Sequence, residues 1–373
     1  MSYMQDQDEW SFFDRAQDAF DESAIRACVQ GKRVLITGAG GFIGSALARS
    51  LSQLSTEHLF LLDIAESGLH ELALELDRLN VSVLRDLIVG DVCDAALLAE
   101  ICSRHRPQII LHAGACKHVS LMEENPFAAA RANVLGTLQI VHAANTFGVD
   151  KVIVISTDKA VAPVGIMGVT KRIAELVVLT NSGLTQVNAV RLGNVLGSTG
   201  SVVPILQRQI VQGGPLTITD AACTRYFVPI GEAVQRLLSA LLIDVPSTIL
   251  VSRPGTPHSI VDVARLLMKA NHSNNQEVEI RFTGLRAGEK LFEQMTSDGE
   301  VLANSSVDGL QQILHSLQPS HQTLALILEE IRASLRDRDL VRLVRAMSRA
   351  VPGYLPSARL QEQIEAAISG AKA

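Results

Sequence analysis

The segment Thr37–Gly44, TGAGGFIG, lies between a β-rich apolar run, RVLIT, and a helix-like run, SALARSLSQL. A strand that turns on glycines straight into a helix leaves free backbone N–H groups at a helix N-terminus, where they favour a phosphate. Gly38 permits the tight turn, Gly41 lets the backbone approach a pyrophosphate, and Gly44 permits close helix–sheet packing, with Phe42 and Ile43 between them. Asp63 ends the next apolar run, HLFLLD, 19 residues beyond Gly44. A carboxylate there accepts hydrogen bonds from a ribose 2′-hydroxyl and repels a 2′-phosphate, so NAD is favoured over NADP. The same Asp63 also reads as a cap on the following helix. Asp91 and Val92 follow the third run and either meet an adenine or form a plain strand-end turn. Ala113 and Gly114, at the end of QIILHAGA, complete the cofactor-facing set.

Further β-rich runs, LIVGD, QIILHAGA, KVIVIS and QVNAVRLGNV, alternate with helical stretches and lack a polar outer face. That pattern predicts an α/β chain with a doubly wound parallel sheet covered on both sides. The expected organisation is an N-terminal arm over 1–30 and a dinucleotide-binding (Rossmann) domain over 31–195. A smaller α/β substrate lobe over 196–300, with segments returning to the first domain, and a helical C-terminal extension over 301–373 complete it. In the arm, Trp10, Phe12, Phe13 and Phe20 suit packing on the main domain or another subunit, and Asp21 caps the helix-like DESAIRACVQ.

Composition narrows the function classes. With 47% hydrophobic and 19% charged residues, the chain is expected to pack as a globule, and a net charge of −6 argues against nucleic acid as a partner. No apolar stretch is long enough to span a bilayer, and the acidic start, MSYMQDQDEW, is unlike a signal peptide. A cytoplasmic protein without a membrane span is expected. The five cysteines contain no CxxC pair, so neither a disulfide framework nor a metal site is expected.

The chemistry concentrates in ISTDKAVAPVGIMGVTKR, residues 155–172. It resembles the active-site segment of the extended short-chain dehydrogenases, whose helix carries Tyr-x-x-x-Lys with both groups on one face. Here the spacing reads Met167 to Lys171. A thioether exchanges no proton, so the usual phenolic base is missing. The combination TDKA…MGxTK is similar to the bacterial polysaccharide-biosynthesis dehydratases, among them UDP-N-acetylglucosamine 4,6-dehydratases, in which Met commonly replaces Tyr. KHVSLMEENP, NVLGT, RLGNVLGSTGSVVPILQRQI, GGPLTITDAACTRYF and TGLRAGEKLFEQ extend the resemblance in colinear order from about residue 21 to about residue 296. The family's N-terminal membrane helices have no counterpart in this sequence, which implies a soluble form.

The resemblance implies NAD-dependent 4,6-dehydration of a UDP-N-acetylhexosamine in a homo-oligomer. The sugar is oxidised at C4, loses water across C5–C6, and receives the hydride back at C6. It implies that Lys171 binds the nicotinamide ribose and Thr157 the 4-oxygen. Asp158 moves the proton of the 4-hydroxyl or of the departing C6 hydroxyl. Lys159, with its pKa depressed by burial or by Lys171, is the C5 base, and Met167 shapes the pocket. The implied substrate set is Lys117, His118, Glu123, Asn194, Val203, Gln209, Thr217, Arg225, Arg286 and Glu289, with Lys290 beside them. Three residues depart from the family pattern: Phe42 for a small polar residue, Cys116 for an aromatic, and Gly165 for Asn. A nucleotide-sugar epimerase or oxidoreductase on the same scaffold, and a non-catalytic NAD-binding protein, are the alternative readings.

Overall fold

The computed structural model describes residues 20–370 except 80, 246, 271–277 and 317, so Trp10, Phe12 and Phe13 of the expected arm lie outside the described residues. In chain order, α1 (Glu22–Val29) precedes β1 (Arg33–Thr37), α2 (Phe42–Ser52), β2 (His58–Asp63), α3 (Glu66–Arg78), β3 (Leu84–Val89), α4 (Ala95–His105) and β4 (Ile109–His112). The short helices α5 (Val119–Glu124) and α6 (Pro126–Ala129) run through a π-helical turn at Ala130–Leu135 into α7 (Gly136–Phe147). Then come β5 (Lys151–Thr157), α8 (Ile166–Leu179), β6 (Gln186–Leu192) and β7 (Asn194–Val195). The lobe holds α9 (Val202–Val211), β8 (Leu216–Ile218), β9 (Thr224–Arg225) and β10 (Phe227–Val228). After α10 (Ile230–Ser239) and β11 (Thr248–Ser252), β12 (His258–Ser259), α11 (Ile260–Ala270) and β13 (Ile280–Phe282) return to it. The chain closes with β14 (Val301–Asn304), β15 (Leu310–His315), α12 (His321–Asp337), α13 (Leu340–Ala350) and α14 (Ala358–Gly370).

Nine strands form the main sheet in the order β14-β15-β11-β6-β5-β4-β1-β2-β3. From β11 to β3 every pairing is parallel. Alternation along β1 shows why both faces must be covered: Val34 and Ile36 join one buried cluster while Leu35 joins the other. The first cluster contains Leu47 and Leu51 of α2 and Leu69 and Leu72 of α3; the second contains Ile101, Ile140 and Ile173 from α4, α7 and α8. A third cluster, with Val203, Leu206, Leu216, Phe227 and Ile260, is the core of the lobe. Asp21 accepts a hydrogen bond from Ala24 N at 2.9 Å and caps α1 as the sequence suggests.

The C-terminal region differs from expectation in its first part. Residues 301–315 extend the sheet as two antiparallel strands, with β15 pairing on β11, and helix begins only at His321. These strands, VLAN and LQQILH, show no regular apolar–polar alternation, and the edge of β11 gives them a ladder to join. The helices α12 and α13 then bury Ile327, Ile331, Val344 and Met347 in the same cluster as α8. Among the described residues no helix is long and apolar enough to cross a membrane.

A charged cluster fastens these parts together. The fully buried guanidinium of Arg191, in β6, meets Glu175 of α8 through Nε and Nη2 at 2.7 and 2.8 Å. The same group meets Glu300, at the entrance to β14, through Nη1 and Nη2 at 2.7 and 2.8 Å, and Nη1 also donates to the Met295 carbonyl. Arg172 donates to Glu175 and to Ser316, and Ser156 Oγ donates to Glu175 Oε1. Burial alone raises a carboxyl, but here Arg191, Arg172 and Ser156 outweigh it and hold Glu175 at about 2.

Removing one member leaves the others buried and uncompensated. Arg191→Met is expected to lower unfolding stability by about 3–5 kcal/mol in urea titration. The sign with pH follows from Glu175: its folded pKa lies below the ordinary 4.5, so its charge stabilises above pH 4.5 and ceases to as pH falls towards 2. The stability gap between wild type and Glu175→Gln should be constant above pH 4.5 and narrow below it, as read by circular dichroism.

Candidate active site

The strand order reverses between β1 and β4, the switch point at which crevices open beyond strand C-termini. The glycine turn sits there. Gly38 has φ +68°, and a Cβ on it would stand 2.5 Å from Gly114 N, so the β1 and β4 loops touch through backbone alone. A Cβ on Gly44 would lie 2.0 Å from Gly38 O, which explains why α2 begins so close to the turn. Gly41 is the N-cap of α2 and supplies no side-chain cap, so the first-turn N–H groups are left for a ligand. Asp63 binds the turn directly, Oδ2 accepting Gly40 N and Oδ1 accepting Ala65 N, both at 2.9 Å. It does not cap α3, whose N-cap is Ala65. Asp91 Oδ1 accepts Cys93 N at 2.8 Å and its other oxygen pairs with Arg131, so this residue forms a strand-end turn with Val92 inside it. These residues fit a dinucleotide: a bare cradle, an uncapped helix start and a carboxylate at the second strand end.

Two glycines missed by the sequence reading complete the cradle. A Cβ on Gly40 would stand 2.8 Å from the backbone of Gly68 in α3. Only the spacing of Gly68 after Asp63 hinted at this contact. Beneath the cradle, Thr37, His112 and Thr137 form a buried chain, with Oγ1–Nδ1 at 2.6 Å and Nε2–Oγ1 at 3.2 Å. Thr137 spends its single proton on Asn133 O, so His112 must donate from Nε2 and accept Thr37 at Nδ1. Burial, reinforced by the charge of Lys171, lowers this imidazole to about 3, in keeping with the neutral form the chain requires.

The residues of the TDK and MGxTK motifs gather at the end of β5 and along the first turns of α8. Asp158 is fully buried, and its Oδ1 accepts Thr157 Oγ1 at 2.9 Å and Lys159 Nζ at 2.8 Å. Lys159 Nζ also donates to Asn194 Oδ1 at 2.8 Å and lies 3.9 Å from Glu293 Oε1. Met167 and Gly165 of the α8 start line a cavity with Lys159, Gly288, Lys290 and Glu293. One turn further along α8, Lys171 Nζ donates to the Ile155 carbonyl. Asn133, in the π-helical turn, holds this wall in place by pairing with both backbone groups of Cys116 and donating to Thr170 Oγ1.

Two expectations are corrected. Lys159 does not have a depressed pKa: burial would lower it, but the charges of Asp158 and Glu293 outweigh burial and raise it. It is Lys171 that burial lowers, to about 8, against the pull of Glu175. The Glu123 carboxylate is turned into the protein, with both oxygens engaged. It accepts Ile166 N at the start of α8 and Ser357 Oγ of the C-terminal region, at 1% exposure. The carboxylate thereby caps the α8 dipole. This packing also accounts for Gly165, since a Cβ there would meet Glu123 Oε1 and Gly288 Cα at 2.8 Å.

The remaining named residues are distributed around the lobe. Arg225 donates to the carbonyls of Thr224, Lys290 and Leu291, and so ties the AGEKLF loop rather than standing open to a ligand. Gln209 and Thr217 hydrogen-bond each other, Val203 is buried in the lobe core, and Glu289 accepts Arg286 N. The side chains of Lys117, His118 and Arg286 are exposed, with His118 lying against Gly200. The ring of Phe42 reaches Gly197, 3.6 Å from where a Cβ would be, across the cleft between cradle and lobe. Glu293 was not singled out from sequence; the available signal was a carboxylate set between Phe292 and Met295.

Comparison with known proteins places these features in a family. A profile described as "Polysaccharide biosynthesis protein" matches residues 34–314. The chain is 39% identical over 286 residues to the probable polysaccharide biosynthesis protein EpsC of Bacillus subtilis, covering 76% of this chain and 48% of that one. It is 38% identical over 285 residues to the capsular polysaccharide biosynthesis protein CapD of Staphylococcus aureus, covering 75% and 48%. The chain thus spans about half the length of these two relatives. A Rickettsia rickettsii protein named UDP-glucose 4-epimerase is 32% identical over 343 residues, covering 83% and 97%. Among solved structures, Pen from Bacillus thuringiensis shares the fold with a TM-score of 0.69 at 24% identity, over 79% of this chain and 90% of that one.

The depressed Lys171 makes a prediction. Between pH 8 and 10.5 the folded lysine is neutral while the unfolded one keeps its proton, so stability rises with pH in that window. Relative to wild type, Lys171→Met should lack this rise in urea unfolding midpoints measured from pH 8 to 10.5.

Proposed function

The chain belongs to the polysaccharide biosynthesis protein family, and from that premise we propose that it is an NAD-dependent 4,6-dehydratase of a UDP-N-acetylhexosamine, with UDP-N-acetylglucosamine as substrate. The observation that carries this reading is the cluster of Asp158, Lys159 and Glu293, of which Lys159 and Glu293 line the cavity beside Met167. Abstraction of a C5 proton and loss of a C6 hydroxyl need an acid and a base on one side of the sugar. Simple oxidation and return of hydride at C4 needs only a group that exchanges the 4-hydroxyl proton, the part played by the tyrosine that this chain lacks.

In this reading the first-turn N–H groups of α2 and the glycines 38, 41 and 44 hold the pyrophosphate of NAD, and Asp63 its adenosine ribose. The nicotinamide of the bound cofactor supplies the hydride chemistry, removing hydride at C4 and returning it at C6. Lys171, four residues from Met167 on the same face of α8, binds the nicotinamide ribose. Thr157 hydrogen-bonds the 4-oxygen once its proton leaves Asp158. Arg286, Lys117 and His118 meet the diphosphate, and Asn194 orients Lys159 towards the ring. A C4 ketone acidifies the C5 proton, which is why an ordinary side-chain base suffices.

A 4-epimerase is the second reading, favoured by the name of the Rickettsia relative and its match over nearly its whole length. Incubation with UDP-N-acetylglucosamine and NAD in deuterated water separates the two. Dehydration gives a product lighter by one water, with a C6 methyl signal and deuterium at C5 in proton NMR. A product that keeps its C6 hydroxyl and inverts at C4 would replace the dehydratase reading with the epimerase one. Lys159→Ala should reduce water loss by about 10²–10⁴-fold, the usual contribution of a general base.

A further inference from the structure

Two carboxylates flank Lys159, and they differ in what they face. Asp158 lies behind the lysine, fully buried, with Oδ1 occupied by Lys159 and Thr157 and with Oδ2, like Glu293 Oε2, making no hydrogen bond. Among the described residues lining the cavity it is absent, whereas Glu293 lines it together with Lys159, Lys290, Met167 and Gly165. The Glu293 side chain is 3% exposed. Its Oε1 lies 3.9 Å from Lys159 Nζ, and its Oε2 makes no hydrogen bond, with Lys290 Nζ standing off at 3.7 Å. A buried, unpartnered carboxyl oxygen on a cavity wall is costly unless it is protonated or meets a ligand.

We propose that Glu293 is the acid that protonates the departing C6 hydroxyl, a role that rests on the dehydration reading above. Burial, aided by the charge of Asp158 and opposed by Lys159, Lys290 and Arg225, raises its carboxyl and so favours the proton-bearing form. The raised lysine calls for such a partner. An ammonium cannot take the C5 proton until its own proton has moved, and Asp158 Oδ1 at 2.8 Å is the acceptor in line.

The proton inventory then closes. Lys159 passes a proton to Asp158, and the neutral amine takes the C5 proton. The C5–H electron pair becomes the C5–C6 double bond as the C6–O bond breaks. The Glu293 O–H bond breaks with it, and its proton leaves in the water formed. Lys159 hands a proton to Glu293 and regains the one on Asp158, which restores the triad. The net transfer in the elimination is one proton from C5 into water; hydride return at C6 then draws a proton onto C5 from Lys159, and the proton released from the 4-hydroxyl replaces it. The 3.9 Å between Lys159 and Glu293 is of the kind that shortens when substrate fills a site.

The test compares the natural substrate with its 6-deoxy-6-fluoro analogue, whose fluoride needs no acid to leave. In Glu293→Gln, water loss should fall by at least about a hundred-fold while fluoride loss stays within about threefold of wild type. Exchange of the C5 proton with deuterated solvent should persist. Glu293→Asp, which keeps an acid, should recover water loss by at least about tenfold over the glutamine variant. Equal loss of both eliminations, with no recovery in the aspartate variant, would make Glu293 a structural residue and overturn the role. So would a glutamine variant that dehydrates like wild type. If wild type itself eliminates neither group, the dehydratase reading falls and this role with it.

Discussion

The arrangement of the cavity depends on one buried guanidinium. Arg191 joins β6, helix α8 through Glu175, and the entrance to β14 through Glu300. Its hydrogen bond to Met295 O fixes the segment that carries Glu293 two residues earlier. Three pieces of chain far apart in sequence are thus held to one rigid group, with every charge answered by an opposite one. Such a cluster adds little net stability over an apolar core, yet tolerates no missing member. Its positioning value is geometric: helix α8, which carries Met167, and the segment that carries Glu293 are held to the same guanidinium, and both residues line one cavity.

The same site shows how neighbours decide the behaviour of a residue type. Lys159 and Lys171 both sit against the end of β5, and burial disfavours the ammonium in both. Lys171 has only the more distant Glu175 to offset that penalty, and its pKa falls to about 8. Lys159 has Asp158 in contact and Glu293 nearby, and its pKa rises. A lysine between two carboxylates is held as an ammonium rather than as a free base. Glu123 makes a related point, since burial against Ile166 N and Ser357 turns a nominal ligand into the cap that starts α8.

Much of this was legible in the sequence because its causes are local. The glycines of TGAGGFIG are dictated by a backbone that permits no Cβ at Gly38 or Gly44, and Asp63 follows from the length of one βα unit. Apolar runs without polar alternation announced a sheet covered on both faces, and the four-residue step from Met167 to Lys171 put both on one side of a helix. The strands at 301–315 were missed because a short edge strand without regular alternation has no signature apart from the partner that offers it a ladder. Glu293, Glu175 and Glu300 were missed for a similar reason: a carboxylate in sequence looks solvated until its surroundings are known.

The sequence by itself therefore determined the sheet, the dinucleotide cradle and the identity of the TDK and MGxTK residues, since each rests on periodicity, chain geometry or a short motif. Only the tertiary structure decided which groups those residues would meet. It placed Glu293 across from Lys159, turned Glu123 inward, and reversed the expected shift of Lys159. The physical reason is that burial and charge pairing combine neighbours in sequence, such as Asp158 beside Lys159, with groups brought in from distant segments, such as Glu293, and a proton affinity belongs to that assembled environment rather than to any stretch of chain.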